Sequence, residues 1–266
     1  MRLLPSVMAL ACAALLAACA GPGGAPAAAP SNELRTASDQ TDADRRAAVR
    51  MELAALHFSR GQYETALDEI KLALQSRPEL GAAFSLRGLV YASMGEESLA
   101  EDSFNRALQL NPRDADTMHN RGWFLCQRNK FADADRWFEQ ALALPQYRDT
   151  QRSLMAQGVC HARAGKLDEA ERKLSRAYEL DATNPTTALN LAEVLYRRGE
   201  YDRARFYIRR VNQREELSNA QTLWLALRVE NRMGNRSGVD DYGRQLRNRF
   251  PQAPETQAYE RGRLDD

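Results

Sequence analysis

Two cysteines and three histidines are the residues of this sequence with the greatest potential for chemistry. Cys126 and Cys160 lie far from the N-terminus, and His57, His119 and His161 are the histidines of the chain. No HExxH, GxSxG or CxxC spacing is present, and no glycine-rich loop follows a strand. Cys160 and His161 are adjacent, but neighbouring residues of a helix do not face each other. We therefore predict a protein that is not an enzyme and that holds no metal ion and no cofactor.

Residues 1–18, MRLLPSVMALACAALLAA, have the form of a secretory signal peptide. Arg2 supplies the positive charge, and residues 3–18 carry no charge. This apolar stretch is short for a membrane span, which needs about 20 residues. It leads into Leu16-Ala17-Ala18-Cys19, which resembles the lipobox of bacterial lipoproteins. That resemblance implies cleavage before Cys19 and lipidation of Cys19, while an unlipidated secreted protein is the alternative.

The residue after the lipobox cysteine bears on the location of the protein. In well-studied Gram-negative lipoproteins an aspartate at this place retains the protein at the inner membrane, whereas this chain has Ala20. Two or more acyl chains anchor a protein stably. We therefore expect a lipid-anchored protein on the periplasmic face of the outer membrane. Because the periplasm is oxidising, a disulfide between Cys126 and Cys160 is predicted, with two buried free thiols as the alternative.

Helix-turn-helix repeats occupy most of the chain after a spacer. Residues 19–43 are the lipid site and a tether rich in glycine, proline and alanine, residues 44–252 show helical periodicity, and residues 253–266 form a polar tail. Within the helical part, one turn motif recurs with a period of about 34 residues. It begins at Gly61, Gly95, Asn129, Gly165 and Gly199.

A fixed pattern of small and large residues follows each turn, with a small residue, a large one four positions later and, in most units, a second small one. This signature resembles the tetratricopeptide repeat, which implies an all-α, right-handed superhelix. The last unit is degenerate, because Gly243 stands where a large residue is expected. About six repeats are predicted, near residues 47–80, 81–114, 115–148, 151–184, 185–218 and 220–252.

A stack of such repeats presents a concave groove lined by the first helix of each repeat. Apolar and aromatic residues in a groove are typical anchors for a docked peptide or helix. For any one of them, packing inside its own repeat is the alternative. The candidate groove residues are Phe58, Leu89, His119, Trp123, Met155, Val159, Arg163 and Tyr196.

The charge pattern narrows the class of partner to a protein. The net charge of +1 gives no case for a nucleic acid, which requires a basic patch or stripe. Repeat grooves that clamp a C-terminal carboxylate carry Lys, Arg and Asn at the groove-lining positions of their first helices. This chain has Ala55, Leu89 and Trp123 there, so we expect neither a carboxylate clamp nor a small-molecule substrate.

The combination of motifs resembles the type IV pilus biogenesis/stability lipoproteins of the PilW/PilF type. Beside the lipobox and the repeats, the resemblance rests on RGWFLC at 121–126, QY at 146–147, GVCHARAG at 158–165 and YGRQLRNRFP at 242–251. It implies a non-enzymatic pilotin that binds subunits of the pilus secretin and aids their outer-membrane localisation and multimerisation. The alternative is a repeat lipoprotein that scaffolds cell-wall enzymes or outer-membrane barrel assembly.

Overall fold

The computed structural model describes residues 41–264, which form helices joined by short turns and loops, so the all-α class is confirmed. A 3-10 turn, Glu215–Leu217, precedes the eleventh helix. The α-helices are α1 (Asp42–Ser59), α2 (Tyr63–Ser76), α3 (Gly81–Met94), α4 (Glu97–Leu110), α5 (Ala115–Gln127), α6 (Phe131–Leu142), α7 (Thr150–Arg163), α8 (Leu167–Leu180), α9 (Pro185–Arg197), α10 (Tyr201–Asn212), α11 (Ala220–Arg232), α12 (Arg236–Arg249) and α13 (Pro254–Glu260).

The helices pair in order, α1 with α2 through to α11 with α12, and each pair packs on the next. This is the tetratricopeptide superhelix predicted from the period. The tight turn inside each pair needs one residue in the left-handed region, where glycine carries no steric penalty and asparagine is tolerated. Those residues are Gly61, Gly95, Asn129, Gly165, Gly199 and Gly234.

Close approach of the two helices within a repeat explains a glycine on the first helix opposite the large residue of the pattern. A Cβ atom added to Gly122 would lie 3.0 Å from the ring of Phe138, and one added to Gly158 would lie 2.6 Å from Leu174 Cγ. Phe138 and Leu174 are fully buried. Extra atoms in such a packed site typically cost about 1–3 kcal/mol. In these two repeats a large residue of the second helix therefore packs directly on a glycine of the first helix.

The loop between the third and fourth repeats is longer than those on either side of it, as the spacing of the turn motifs predicts, and it is as long as the connection between the fifth and sixth repeats, residues 213–219. The loop after the third repeat covers residues 143–149, whereas residues 111–114 and 181–184 connect the neighbouring repeats. Inside this loop the hydroxyl of Tyr147 lies 2.7 Å from Ser153 Oγ at the start of α7. The extra residues are thus anchored to the fourth repeat.

The C-terminal end differs from the polar tail expected at 253–266. Pro254–Glu260 form α13, which packs against α11 and α12. The ring of Tyr259 lies on Gly243, in the space that any Cβ at that position would occupy. The large residue that the sixth repeat lacks in its own sequence is therefore supplied by α13.

The predicted signal peptide, the lipidation site at Cys19 and the tether up to residue 40 lie outside the described residues. Within residues 41–264, none of the helices combines the length and the apolar character needed to cross a membrane.

Candidate partner-binding groove

A cavity of about 480 Å³ opens between the first helices α5, α7 and α9. Its centre is apolar, and its rim is polar. A volume of this size is typical of ligand pockets. Four of the predicted groove residues come together here. The lining residues are His119, Trp123, Arg152, Met155, Ala156, Val159, Thr186 and Asn190.

His119 forms a buried wall of the cavity and is neutral. Its side chain is 5% exposed, and its Nδ1 lies 2.8 Å from Ser153 Oγ. Burial lowers the pKa of His119 to about 3, and the positive charge of Arg152 acts in the same direction. The imidazole therefore contributes shape and a hydrogen bond rather than charge.

Trp123 and Leu89 are half-buried and pack against one core cluster, which includes Phe124 and Cys126. Trp123 lines the cavity, whereas Leu89 belongs to the preceding repeat and does not. An aromatic side chain that is held by the core yet partly exposed suits a binding anchor, because little conformational freedom remains to be lost. Trp123 has the best geometry for this role.

Tyr196 and Phe58 do not line the cavity, and Tyr196, which was predicted to line the groove, is a core residue. Tyr196 is 7% exposed and belongs to the core of the fifth repeat, with the guanidinium of Arg228 4.4 Å above its ring. Phe58 is half-buried, and its ring centroid lies 6.0 Å from that of Tyr63 on α2. Both stand three residues before their turn glycine, and one helical residue is a rotation of about 100°. At this position the side chain turns inwards.

Arg163 stands one residue further along its helix and is exposed. Its Nη2 donates to the carbonyl of Gln127 at 3.4 Å and to Asn129 Oδ1 at 3.3 Å. The side chain therefore reaches across to the turn of the third repeat and lies beyond the cavity lining.

Cys126 and Cys160 form a disulfide between α5 and α7. Their Cα atoms are 5.7 Å apart, within the usual range for a bridge, and both residues are buried. His161 is directed to another partner, with Nε2 3.0 Å from Asp135 Oδ1. Burial lowers the pKa of His161, and the nearby carboxylate of Asp135 partly offsets this. These contacts are structural links between the third and fourth repeats.

Arg152, Thr186 and Asn190 are cavity residues that sequence reasoning missed. Arg152 Nη2 donates to Asn120 Oδ1 at 3.2 Å, and Asn190 Nδ2 donates to the carbonyl of Thr186 at 2.8 Å. Arg152 lies three residues before the predicted groove position Met155. Side chains three residues apart share a helix face. Extending the predicted groove by one helical turn before Met155 would therefore have identified Arg152.

Across residues 41–264, His, Cys, Asp and Glu side chains form no group of three or more that could hold a metal ion.

Comparison with known proteins identifies the repeats. Tetratricopeptide repeat models match residues 51–115, 119–185 and 161–224. These segments cover more than half of the chain, and the helical pairs described above agree with them. The chain belongs to the tetratricopeptide repeat family.

Two homologues match the chain along most of its length. The type IV pilus assembly protein PilF of Pseudomonas aeruginosa is 26% identical over 229 residues, which are 86% of this chain and 89% of that protein. The crystal structure of PilW, described as a widely conserved type IV pilus biogenesis factor, is 29% identical. It has a TM-score of 0.73 and covers 80% of this chain and 97% of its own. A solved structure of P. aeruginosa PilF has the same fold, with a TM-score of 0.70 over 84% of this chain and 100% of its own.

Proposed function

We propose that this protein is a non-enzymatic outer-membrane pilotin of type IV pilus biogenesis. It binds subunits of the pilus secretin through the groove of its first helices and aids their localisation and multimerisation in the outer membrane. The observation that supports this most is the similarity to PilF and PilW, which extends over more than three quarters of the chain. A match of that extent exceeds what a short generic repeat segment would produce.

The groove supplies the binding chemistry that the proposal requires. Trp123, Met155 and Val159 form an apolar floor, and Arg152 and Asn190 give the rim hydrogen-bonding groups. An apolar centre with a polar rim is the usual anatomy of a protein interface. A secretin segment would place an apolar side chain in the cavity and pair its backbone with the rim.

The lipid anchor accounts for the transport step. Cys19 follows a lipobox-like sequence, and residues 19–43 are long enough to separate the repeats from the bilayer. A bound secretin subunit would travel with the lipoprotein to the outer membrane. Replacement of Cys19 by alanine would leave a protein that still binds the subunit but fails to deliver it.

The test is deletion of the gene, followed by complementation and scoring of secretin multimers and surface pili. We expect the wild type to restore both, and Trp123→Ala to restore them poorly while keeping its helical circular dichroism. Trp137→Ala is a matched control, because Trp137 lies on the second helix α6 and stacks under Arg121, 4.4 Å from its guanidinium. Normal multimers and pili in the deletion strain would refute the pilotin function. Recovery of cell-wall enzymes instead of secretin in a pull-down would favour the scaffold alternative.

A further inference from the structure

The groove changes its charge between the third and fourth repeats. The helix position two residues before each turn residue is exposed in all six repeats. It carries no charge in the first three repeats and an arginine in the last three. Along the stack these residues are Ser59, Ser93, Gln127, Arg163, Arg197 and Arg232.

A second groove position, one helical turn earlier, also becomes charged along the stack, but with one acid and one base. Here the first four repeats have apolar side chains, and charge appears only in the last two. The residues are Ala55, Leu89, Trp123, Val159, Glu193 and Arg228. Arg163 and Arg197 belong to α7 and α9, which also line the apolar cavity, and they lie beyond its lining near the C-terminal ends of these helices.

Arg163 and Arg197 have contacts that leave most of their donors available. Arg163 uses Nη2 on the Gln127 carbonyl and the Asn129 amide oxygen, and Arg197 uses Nη1 on the Ala162 carbonyl at 3.0 Å. In the part of the chain that the structure describes, no carboxylate oxygen lies within 4.0 Å of either guanidinium, so neither arginine forms an ion pair there. Each guanidinium has five N–H donors in a planar fork that matches a carboxylate.

Arg228 adds a third cation near them. Its guanidinium stacks on the Tyr196 ring at 4.4 Å, its Nη1 is 4.0 Å from Glu193 Oε2, and its Nε is buried with no hydrogen-bond acceptor in the described residues. Glu193 is the single acid of the two positions, and it lies beside Arg228. Glu193 also stands one helical turn before Arg197, but its carboxylate forms no ion pair with that guanidinium in the described residues.

We propose that the segment bound in this groove has a large apolar side chain for the Trp123 cavity, followed by acidic residues that pair with Arg163 and Arg197. This inference rests on the proposed function and specifies the chemistry of the partner. Carboxylate–guanidinium pairs are charge-assisted and often bidentate. Arg163 and Arg197 stand near the C-terminal ends of α7 and α9, so the acidic residues of the segment would lie at that edge of the groove, beside the cavity.

Synthetic peptides test this on the purified full-length protein by fluorescence anisotropy. One peptide has a tryptophan anchor followed by glutamates, a second has glutamines in place of the glutamates, and a third has serine in place of the tryptophan. We expect the first to bind about tenfold more tightly than either of the others, with an advantage over the glutamine peptide that falls as salt rises. Equal binding of the glutamate and glutamine peptides would overturn the inference, and so would a single-stranded oligonucleotide that binds as tightly as the glutamate peptide.

Arginine variants locate the interaction. In Arg163→Gln/Arg197→Gln the preference for glutamate should disappear, whereas Arg172→Gln/Arg176→Gln, which removes two exposed arginines of α8, should leave it unchanged. A preference that survives in the first variant, or falls equally in both, would refute the assignment. The comparison of peptides on the unmodified protein stays informative even if a variant loses helicity.

Capture of the secretin subunit from envelope extracts separates this inference from the proposed function. Capture that is equal for the wild type and Arg163→Gln/Arg197→Gln would overturn the inference and leave the pilotin proposal standing. If the peptides show the expected preference but no secretin is captured, the inference about the groove stands and the pilotin proposal is refuted.

Discussion

Two neighbouring junctions of the stack are held together by different chemistry. Between the third and fourth repeats the Cys126–Cys160 disulfide is buried, and His119 contacts Ser153 in the interior. Between the fourth and fifth repeats, Arg198 pairs at 2.8 Å with Glu171 of α8, and both side chains are partly exposed. Both junctions also bury apolar side chains. The third and fourth repeats also share ion pairs, such as Lys173 with Glu139 at 2.6 Å, so the junctions differ in the buried covalent bridge that only the first of the two has.

This difference matters because the cavity spans both junctions. Trp123 comes from the third repeat, Met155 and Val159 from the fourth, and Asn190 from the fifth. A covalent, buried link keeps the apolar wall in place under any ionic strength. An exposed ionic link is screened by salt and contributes little to stability. We therefore expect the wall at Trp123 to be the more rigid side of the binding site.

Of the changes at the two junctions, loss of the disulfide should have the largest effect on the free energy of unfolding. In Cys126→Ala/Cys160→Ala, the free energy of unfolding should fall by about 2–4 kcal/mol, because the unfolded chain is no longer cross-linked. Urea denaturation followed by circular dichroism measures this. Reductant should destabilise the wild type by a similar amount and leave the double variant unchanged. Equal stability of the oxidised and reduced wild type would show that the bridge does not hold the junction.

Protonation of His119 should have a smaller, pH-dependent effect. The folded protein has a pKa of about 3 for this residue, and the unfolded chain has about 6.5. The unfolded state therefore binds the proton first as the pH falls. The stability contributed by neutral His119 is fully present above about pH 6.5 and is lost progressively towards pH 3. Between about pH 7 and about pH 5 the loss should be about 1–2 kcal/mol.

Urea unfolding at the two pH values, compared with His119→Gln, measures that contribution. Glutamine can keep a hydrogen bond to Ser153 but does not titrate, so the variant should lose less stability on acidification. His161 also has a lowered pKa and remains in both proteins, so its effect cancels. An identical pH dependence in the wild type and the variant would contradict the buried, neutral state of His119.

Removal of Arg198 should have the smallest effect. Arg198→Ala breaks the pairs with Glu171 and Glu200, but these groups are close to water, so the melting temperature should fall only slightly. The difference should shrink in about 1 M salt, where the screening length falls to about 3 Å. Arg176→Ala, which breaks a pair with Glu179 inside α8, is the control within one helix. A loss as large as that of the disulfide variant would reverse the ranking of the two junctions.

The hairpins and their order could be read from the sequence because their determinants are local. Each turn needs one left-handed residue, and each helix pair needs a small residue opposite a large one, as in Gly122 with Phe138. Helical spacing also grouped Trp123, Met155 and Val159 on one face, and the structure brings them to one cavity. The secretin partner and the lipid anchor at Cys19 stay predictions.

The side-chain directions at the ends of helices could not be read in the same way. Tyr196 and Arg197 are adjacent, yet one is in the core and the other is exposed. Their side chains differ by a rotation of about 100° around the helix axis. Near a helix end, the hydrophobic pattern does not show which of two adjacent residues faces the core. Tyr196 was therefore expected in the groove although its ring lies beneath Arg228.

The sequence by itself determined the all-α class, the repeat period, the turn positions and the apolar character of the middle of the groove, because these depend on contacts within one repeat. Only the tertiary structure showed that Tyr259 of α13 fills the space over Gly243, and that Arg152 and Asn190 complete the cavity rim. Those contacts join residues of different helices or repeats, and their geometry depends on how the helices stack. The sequence shows which repeats carry arginine at this groove position. Whether Arg163 and Arg197 lie on one exposed edge of the groove depends on how the repeats stack.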